Sequence, residues 1–205
     1  MNRPANHARN ALNLAALPVF CIAGLVFVTT SYGQLDRDAQ AMQDFSNKIH
    51  LYLKIHHQAE VTVPHIKPTA SAKKIIDRKH ALAAQINKER GNIKEGNVFT
   101  PEVAAYFERL IHSAYRQNAP GIEATLLCLS PVREDRLKPN DIYPEDAELT
   151  AMPSTILLHV PELPSELEYR IVNKDLIIRD REANLIVDIF RGAITPPPGR
   201  KLCDD

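Results

Sequence analysis

Apolar residues in the front half of the chain recur at helical spacing. Met42, Phe45, Ile49, Tyr52 and Leu53 lie three or four residues apart. That stripe predicts a helix from Leu35 to about Gln58, with Asp36 and Asp38 suited to the positive end of its dipole. Pro64 and Pro68 cannot continue a helix and mark a break. Ile75, Ile76, Leu82, Ala83 and Ile86 then predict a second helix over Ser71–Arg90, stopped by Gly91 or Gly96. The third has the strongest start signal: Thr100 to cap, Pro101 at the first position, and Glu102 facing the dipole. Its buried face is Val103, Phe107, Leu110, Ile111 and Ala114. A short fourth helix is expected from about Pro120 to Leu129.

After Pro131 the period changes. The segment 131–152 is rich in proline and reads as an extended connector, with one edge strand near Asp141–Tyr143. Ser154–His159 reads as a helix of about two turns between Pro153 and Pro161. Three β-rich runs follow, LEYRIV, LIIRD and LIVDIF, separated by the polar turns NKD and REAN. Such runs predict an antiparallel meander. Strand alternation turns Tyr169, Ile171, Leu176 and Ile178 toward a core. It assigns Arg170, Arg179 and Asp188 to a shared solvent-facing side. The fold expected is therefore α+β: an N-terminal helical region of three to four helices (34–130), the connector (131–152), then a short helix and a small β-meander (153–194). Residues 195–205 read as a disordered tail.

The chain begins differently. Arg3 and Arg9 precede a stretch without charge from Asn10 to Leu35, whose centre Leu12–Val28 is apolar. Ser31 and Gly33 follow as small residues. Positive, apolar and small in that order is the pattern of a signal peptide spanning 1–33, cleaved near Gly33. An uncleaved membrane anchor is the competing reading, the apolar run sitting at the short end of a spanning helix. Periplasmic or extracellular residence follows from cleavage. It leaves Cys128 and Cys203, one possible bridge in an oxidising compartment.

Charge narrows the partners only a little. The whole chain holds 25 basic and 25 acidic side chains. Residues 34–116 carry 13 Lys/Arg against 9 Asp/Glu, and residues 117–205 carry 10 against 16. Neither excess points to nucleic acid, and membrane contact is expected only through an uncleaved leader. With no GxSxG, HExxH or P-loop and only seven glycines, nucleophilic and phosphate-binding motifs are missing and no cofactor is expected. Acidic residues of the connector, such as Glu134, Asp135, Asp141 and Glu145, lack the central glycine of a calcium loop.

Histidine is the remaining chemistry. His50, His56, His57 and His65 fall in one short stretch with Glu60. Imidazole and carboxylate are the donors of first-row metal sites. His50 and His57, seven apart, share a helix face, while His56 joins it only loosely. The five residues are candidate metal ligands, against the plain alternative of a solvated helix end.

The segment from about Tyr143 to Ile194 resembles a C-terminal module of small secreted bacterial proteins, matching at Pro153, Pro161, Tyr169, Arg170, Ile171, Val172, Leu176, Ile177, Ile178, Asp180, Ile186 and Val187. With FTPEVA and LEYRIVNKDLIIRD, the chain is similar to secreted proteins of acidobacterium-like soil bacteria. The resemblance implies an envelope setting and brings no catalytic residues. Some relatives of the module are linked to periplasmic metal homeostasis. Three functions stay open: a non-enzymatic binding or scaffold protein acting on another envelope protein, a periplasmic metal-binding protein using the His50–His65 cluster, and a small hydrolase with a dispersed site.

Overall fold

The structure is a computed structural model that describes residues 23–126, 137–144 and 152–195. Helix α1 (Ala23–Thr62), α2 (Ala72–Arg90) and α3 (Pro101–Leu126) precede a single-turn α4 (Ser154–Leu157) and strands β1 (Leu167–Val172), β2 (Asp175–Asp180) and β3 (Leu185–Phe190). The fold is thus α+β with the helices first and the sheet last. Its described residues fall into two compact units, one ending at Asp36 and the other beginning at Arg37. All architecture below concerns the second unit. The leader before residue 23, Cys128 and Cys203, most of the connector and the tail from residue 196 lie outside the described residues. No helix among the described residues is long and apolar enough to cross a membrane.

Helix α1 begins at Ala23 and not at Leu35, so Asp36 and Asp38 sit inside it, where no helix end is available to favour them. Asp38 is instead paired with Arg109 of α3. The buried stripe of α1 is Phe45, Ile49, Tyr52, His56 and Ala59, continued by Val63 just past its end, an alternation of four and three that keeps one line of side chains facing inward. Met42 is exposed. Gly91 ends α2 with φ 67° and ψ −152°, a positive-φ conformation open to glycine, which has no Cβ. Thr100 receives the Val103 N–H at 3.4 Å and opens α3 as expected. The break anticipated near Pro120 is present as a kink. Asn118 has φ −152° and ψ 64°, and its side-chain oxygen accepts the Gly121 N–H at 3.1 Å. Proline supplies no N–H for the ladder there, and Asn118 restarts the helix.

The three strands pair in the order β1-β2-β3, both pairs antiparallel. One sheet face, carrying Leu167, Tyr169, Ile171, Leu176, Ile178 and Leu185, packs with α1, α2 and α3 in one core. Phe45, Phe99 and Phe107 sit at its centre, with Phe107 ring centroids 5.0 and 5.2 Å from the other two.

The opposite face is not wet. Val172, Ile177, Ile186 and Ile189 are buried there beneath Tyr143, with Leu137 at the margin. The segment 137–144 provides this cover: Ile142 bridges Leu185, and backbone bonds run from Tyr143 to Asn184 and from Ile186 to Asp141 at 2.8 and 2.9 Å. Arg179 is buried on this side, lying 5.3 Å above the Tyr143 ring and paired with Glu168. Asp188 departs further from strict alternation. A register shift at Ile178/Arg179 leaves Val187 unpaired and sets Asp188 opposite Ile178, on the helix side. This β-bulge overrides the period-two expectation. There Asp188 accepts N–H groups of Gly96, Val98 and Phe99 at 3.1, 2.7 and 2.8 Å and fastens the loop before α3.

Candidate metal centre

The same buried stripe that builds the core brings one histidine inside. His56 lies one turn beyond Tyr52, so both side chains leave α1 in the same direction. They meet the end of β2. Asp180 Oδ2 accepts Tyr52 OH at 2.7 Å and the His56 Nδ1–H at 2.6 Å. Its other oxygen, Oδ1, accepts the backbone N–H groups of Glu182 and Ala183 at 2.9 and 2.8 Å. Asp180 thus shapes the β2–β3 turn with one oxygen and receives α1 with the other. The turn closes at Asn184, whose φ of 53° an asparagine tolerates readily.

His56 and Asp180 are both 0% exposed. Burial opposes the charge on His56, yet the hydrogen bond and negative charge of Asp180, then Glu182 and Glu60, raise its pKa above the usual value. Burial likewise acts to raise Asp180, and the His56 bond and charge, with the turn amides and Tyr52, outweigh it and leave the carboxyl below its usual range. The pair is an ionic link between the first described helix and the last hairpin. Tyr52 is pushed well up, first by burial and then by Asp180.

With Nδ1 occupied, His56 Nε2 is left over. It is buried without a hydrogen-bond partner. Glu182 Oε2 stands 3.9 Å from it, and one oxygen of Glu60 completes a group whose donor atoms all lie within 4.8 Å of one another. His56 is buried, Glu60 half-buried and Glu182 exposed, so the group opens toward solvent on one side. Donors around a tetrahedral ion at zinc–ligand distances of about 2.1 Å stand about 3.4 Å apart. Rotation of two flexible glutamates covers the difference. An imidazole whose far nitrogen donates to a carboxylate is the usual arrangement for a metal-ligating histidine, because the outer partner fixes both tautomer and ring orientation.

Of the five candidates from sequence, His56 and Glu60 enter this group. His50, His57 and His65 are exposed and do not. His57 reaches Glu166 at 3.4 Å and meets the His56 ring edge-on at 5.5 Å between centroids. With His50 it lines a shallow groove beside Leu53, Lys54 and Val61. The shared face of His50 and His57 is real, but it is the outer face. Glu182 and Asp180 were missed as partners because 122 residues separate Glu60 from Glu182, counted by their numbers. The signal that marks His56 is its place in the inward stripe, four after Tyr52 and three before Ala59. Comparison with protein-family models, curated proteins and solved structures finds no match to this chain.

Proposed function

We propose that this is an exported, non-enzymatic protein that binds a divalent transition metal through His56 Nε2, Glu60 and Glu182. One observation carries the reading: a fully buried imidazole has its Nδ1 held by Asp180 and its Nε2, without a hydrogen-bond partner, facing two carboxylates, so that an ion binds there as Nε2 gives up its proton. Leaving that nitrogen unpaired costs on the order of 1–3 kcal/mol, a cost that a bound cation removes. One imidazole and two carboxylates suit zinc and its first-row neighbours better than magnesium or calcium, which favour all-oxygen shells. Three protein donors leave a coordination position open, which serves carriage or transfer of the ion. Among the described residues, the scaffold reading has no side-chain cluster of comparable definition behind it. Glu182, exposed and beyond the core, offers a clean test.

Titration of the full metal-free chain with zinc is expected to show one stoichiometric site and a raised unfolding midpoint. Glu182→Gln should weaken zinc at least about ten-fold, the low end for loss of a metal-shell contact, and His56→Ala should abolish binding. His57→Ala should bind as the native chain does. Absence of heat and of any thermal shift at stoichiometric zinc, or unchanged binding by Glu182→Gln, would overturn the proposal.

A further inference from the structure

The metal centre has a resident competitor. Arg78 of α2 places its Nη2 3.4 Å from Glu60 Oε1, with both side chains partly buried. Among the described residues, Glu60 pairs with an arginine, whereas Glu182 stands 3.9 Å from His56 Nε2. Resting on the metal-binding reading above, we infer that Arg78 is a positioning and affinity-setting residue: it holds Glu60 in the metal-free protein, and an incoming cation must take Glu60 from it.

The physical reasoning runs through charge and geometry. Without metal, Glu60, Glu182 and Asp180 bring three carboxylates to the group, and Arg78 sets a guanidinium against Glu60. The guanidinium keeps the two glutamates from repelling one another across the donor group. When a dication enters, it and Arg78 compete for the same carboxylate. The guanidinium then stands one carboxylate away from an ion of like sign. Arg78 therefore lowers metal affinity in proportion to the cost of parting from Glu60 and of facing the ion. Because every dication meets the same opposition, Arg78 lowers all their affinities alike and leaves their order unchanged. The arrangement couples α2 to the site although α2 supplies no ligand.

Glutamine at position 78 removes the charge and keeps most of the side chain's reach. Arg78→Gln is expected to bind zinc about three- to ten-fold more tightly than the native chain, the range set by loss of a partly exposed ion pair plus relief of repulsion. Arg78→Lys keeps the charge without the planar fork and should fall between the two. The interval between native and Arg78→Gln affinities should narrow from about 0.05 M to about 0.5 M salt, because screening weakens the opposition. A merely structural arginine would not produce that salt dependence. The inference is overturned if Arg78→Gln binds zinc no more tightly than the native chain while Glu182→Gln still loses it. If native and Arg78→Gln chains both ignore zinc, the metal reading itself falls. Zinc uptake by Arg78→Gln alone would also overturn the inference, since the native chain would then have no zinc site for Arg78 to tune.

Discussion

Replacing Asp180 tests the central joint of the molecule. Its carboxylate accepts four hydrogen bonds, two from α1 at 2.6 and 2.7 Å and two from its own turn at 2.8 and 2.9 Å. Asp180→Ala would strand two buried donors, Tyr52 OH and His56 Nδ1, each costing about 1–3 kcal/mol when unsatisfied. Breaking a buried charged pair from one side costs about 3–5 kcal/mol. We expect a loss of about 4 kcal/mol, a large part of the ~5–15 kcal/mol that holds a domain together. Asp180→Asn keeps an acceptor for the turn amides, and a neutral His56 can accept from the new amide. The expected loss is about 1–2 kcal/mol. Urea unfolding followed by circular dichroism, with a chelator present, measures both.

The pH dependence separates a charged link from simple packing. His56 has a raised folded pKa, so its contribution is complete below its unfolded value of about 6.5 and is lost as pH rises through the folded value. Asp180 has a lowered folded pKa, so its contribution is complete above about 3.9 and is lost as pH falls through the folded value. The native advantage over Asp180→Asn should therefore be largest between about pH 4 and 6.5 and shrink on the alkaline side. An Asp180→Ala protein within about 0.5 kcal/mol of native, the level of an ordinary surface change, would refute the reasoning. So would identical alkaline limbs for native and Asp180→Asn.

Two further outcomes follow from the hairpin. Asn184 accepts Arg179 Nε at 2.8 Å, donates to the Tyr143 carbonyl at 2.8 Å and holds φ at 53°. Asn184→Ala should cost about 2–3 kcal/mol in urea unfolding, and Asn184→Gly should recover only the backbone share, about 1 kcal/mol. Asp188→Ala strands three loop amides and should cost about 2–4 kcal/mol. Its native carboxyl is raised by burial against the opposing amide bonds, so Asp188 adds stability below its unfolded pKa that is lost as pH rises through the folded value, and this limb should vanish in Asp188→Ala.

Much of the fold was legible because it is written in local periods. The three long helices, the caps at Gly91 and Thr100, and all three strands follow from spacing and turn residues close to one another in the chain. Asp141–Tyr143 was legible as an edge strand and does bridge Leu185, but nothing near it in the chain showed that Tyr143 would cover the far sheet face. Asp188 was misplaced by a bulge, which adds a residue without changing composition. In the site, His56 and Glu60 were visible as residue types, but the seven-residue spacing put His50 and His57 on one face and joined His56 to it only loosely. Helix phase decides between them: His56 falls on the line of Phe45, Ile49 and Tyr52, whereas His57 falls outside it. Glu182 could not be found from pattern, since a glutamate in a polar turn is ordinary until the fold sets it against α1.

The joint between Asp180 and α1 spans 128 positions from Tyr52 and 124 from His56. A chain made from its amino end at about 5–20 residues per second leaves that helix waiting roughly 6–25 s for its partner strand to be synthesised. Through that interval the line from Phe45 to Val63 has no sheet to lie on. Closure of so distant a pairing belongs late in folding, which makes the nascent helix, with its half-satisfied polar groups, the segment most in need of a holding partner before the C-terminal strands arrive.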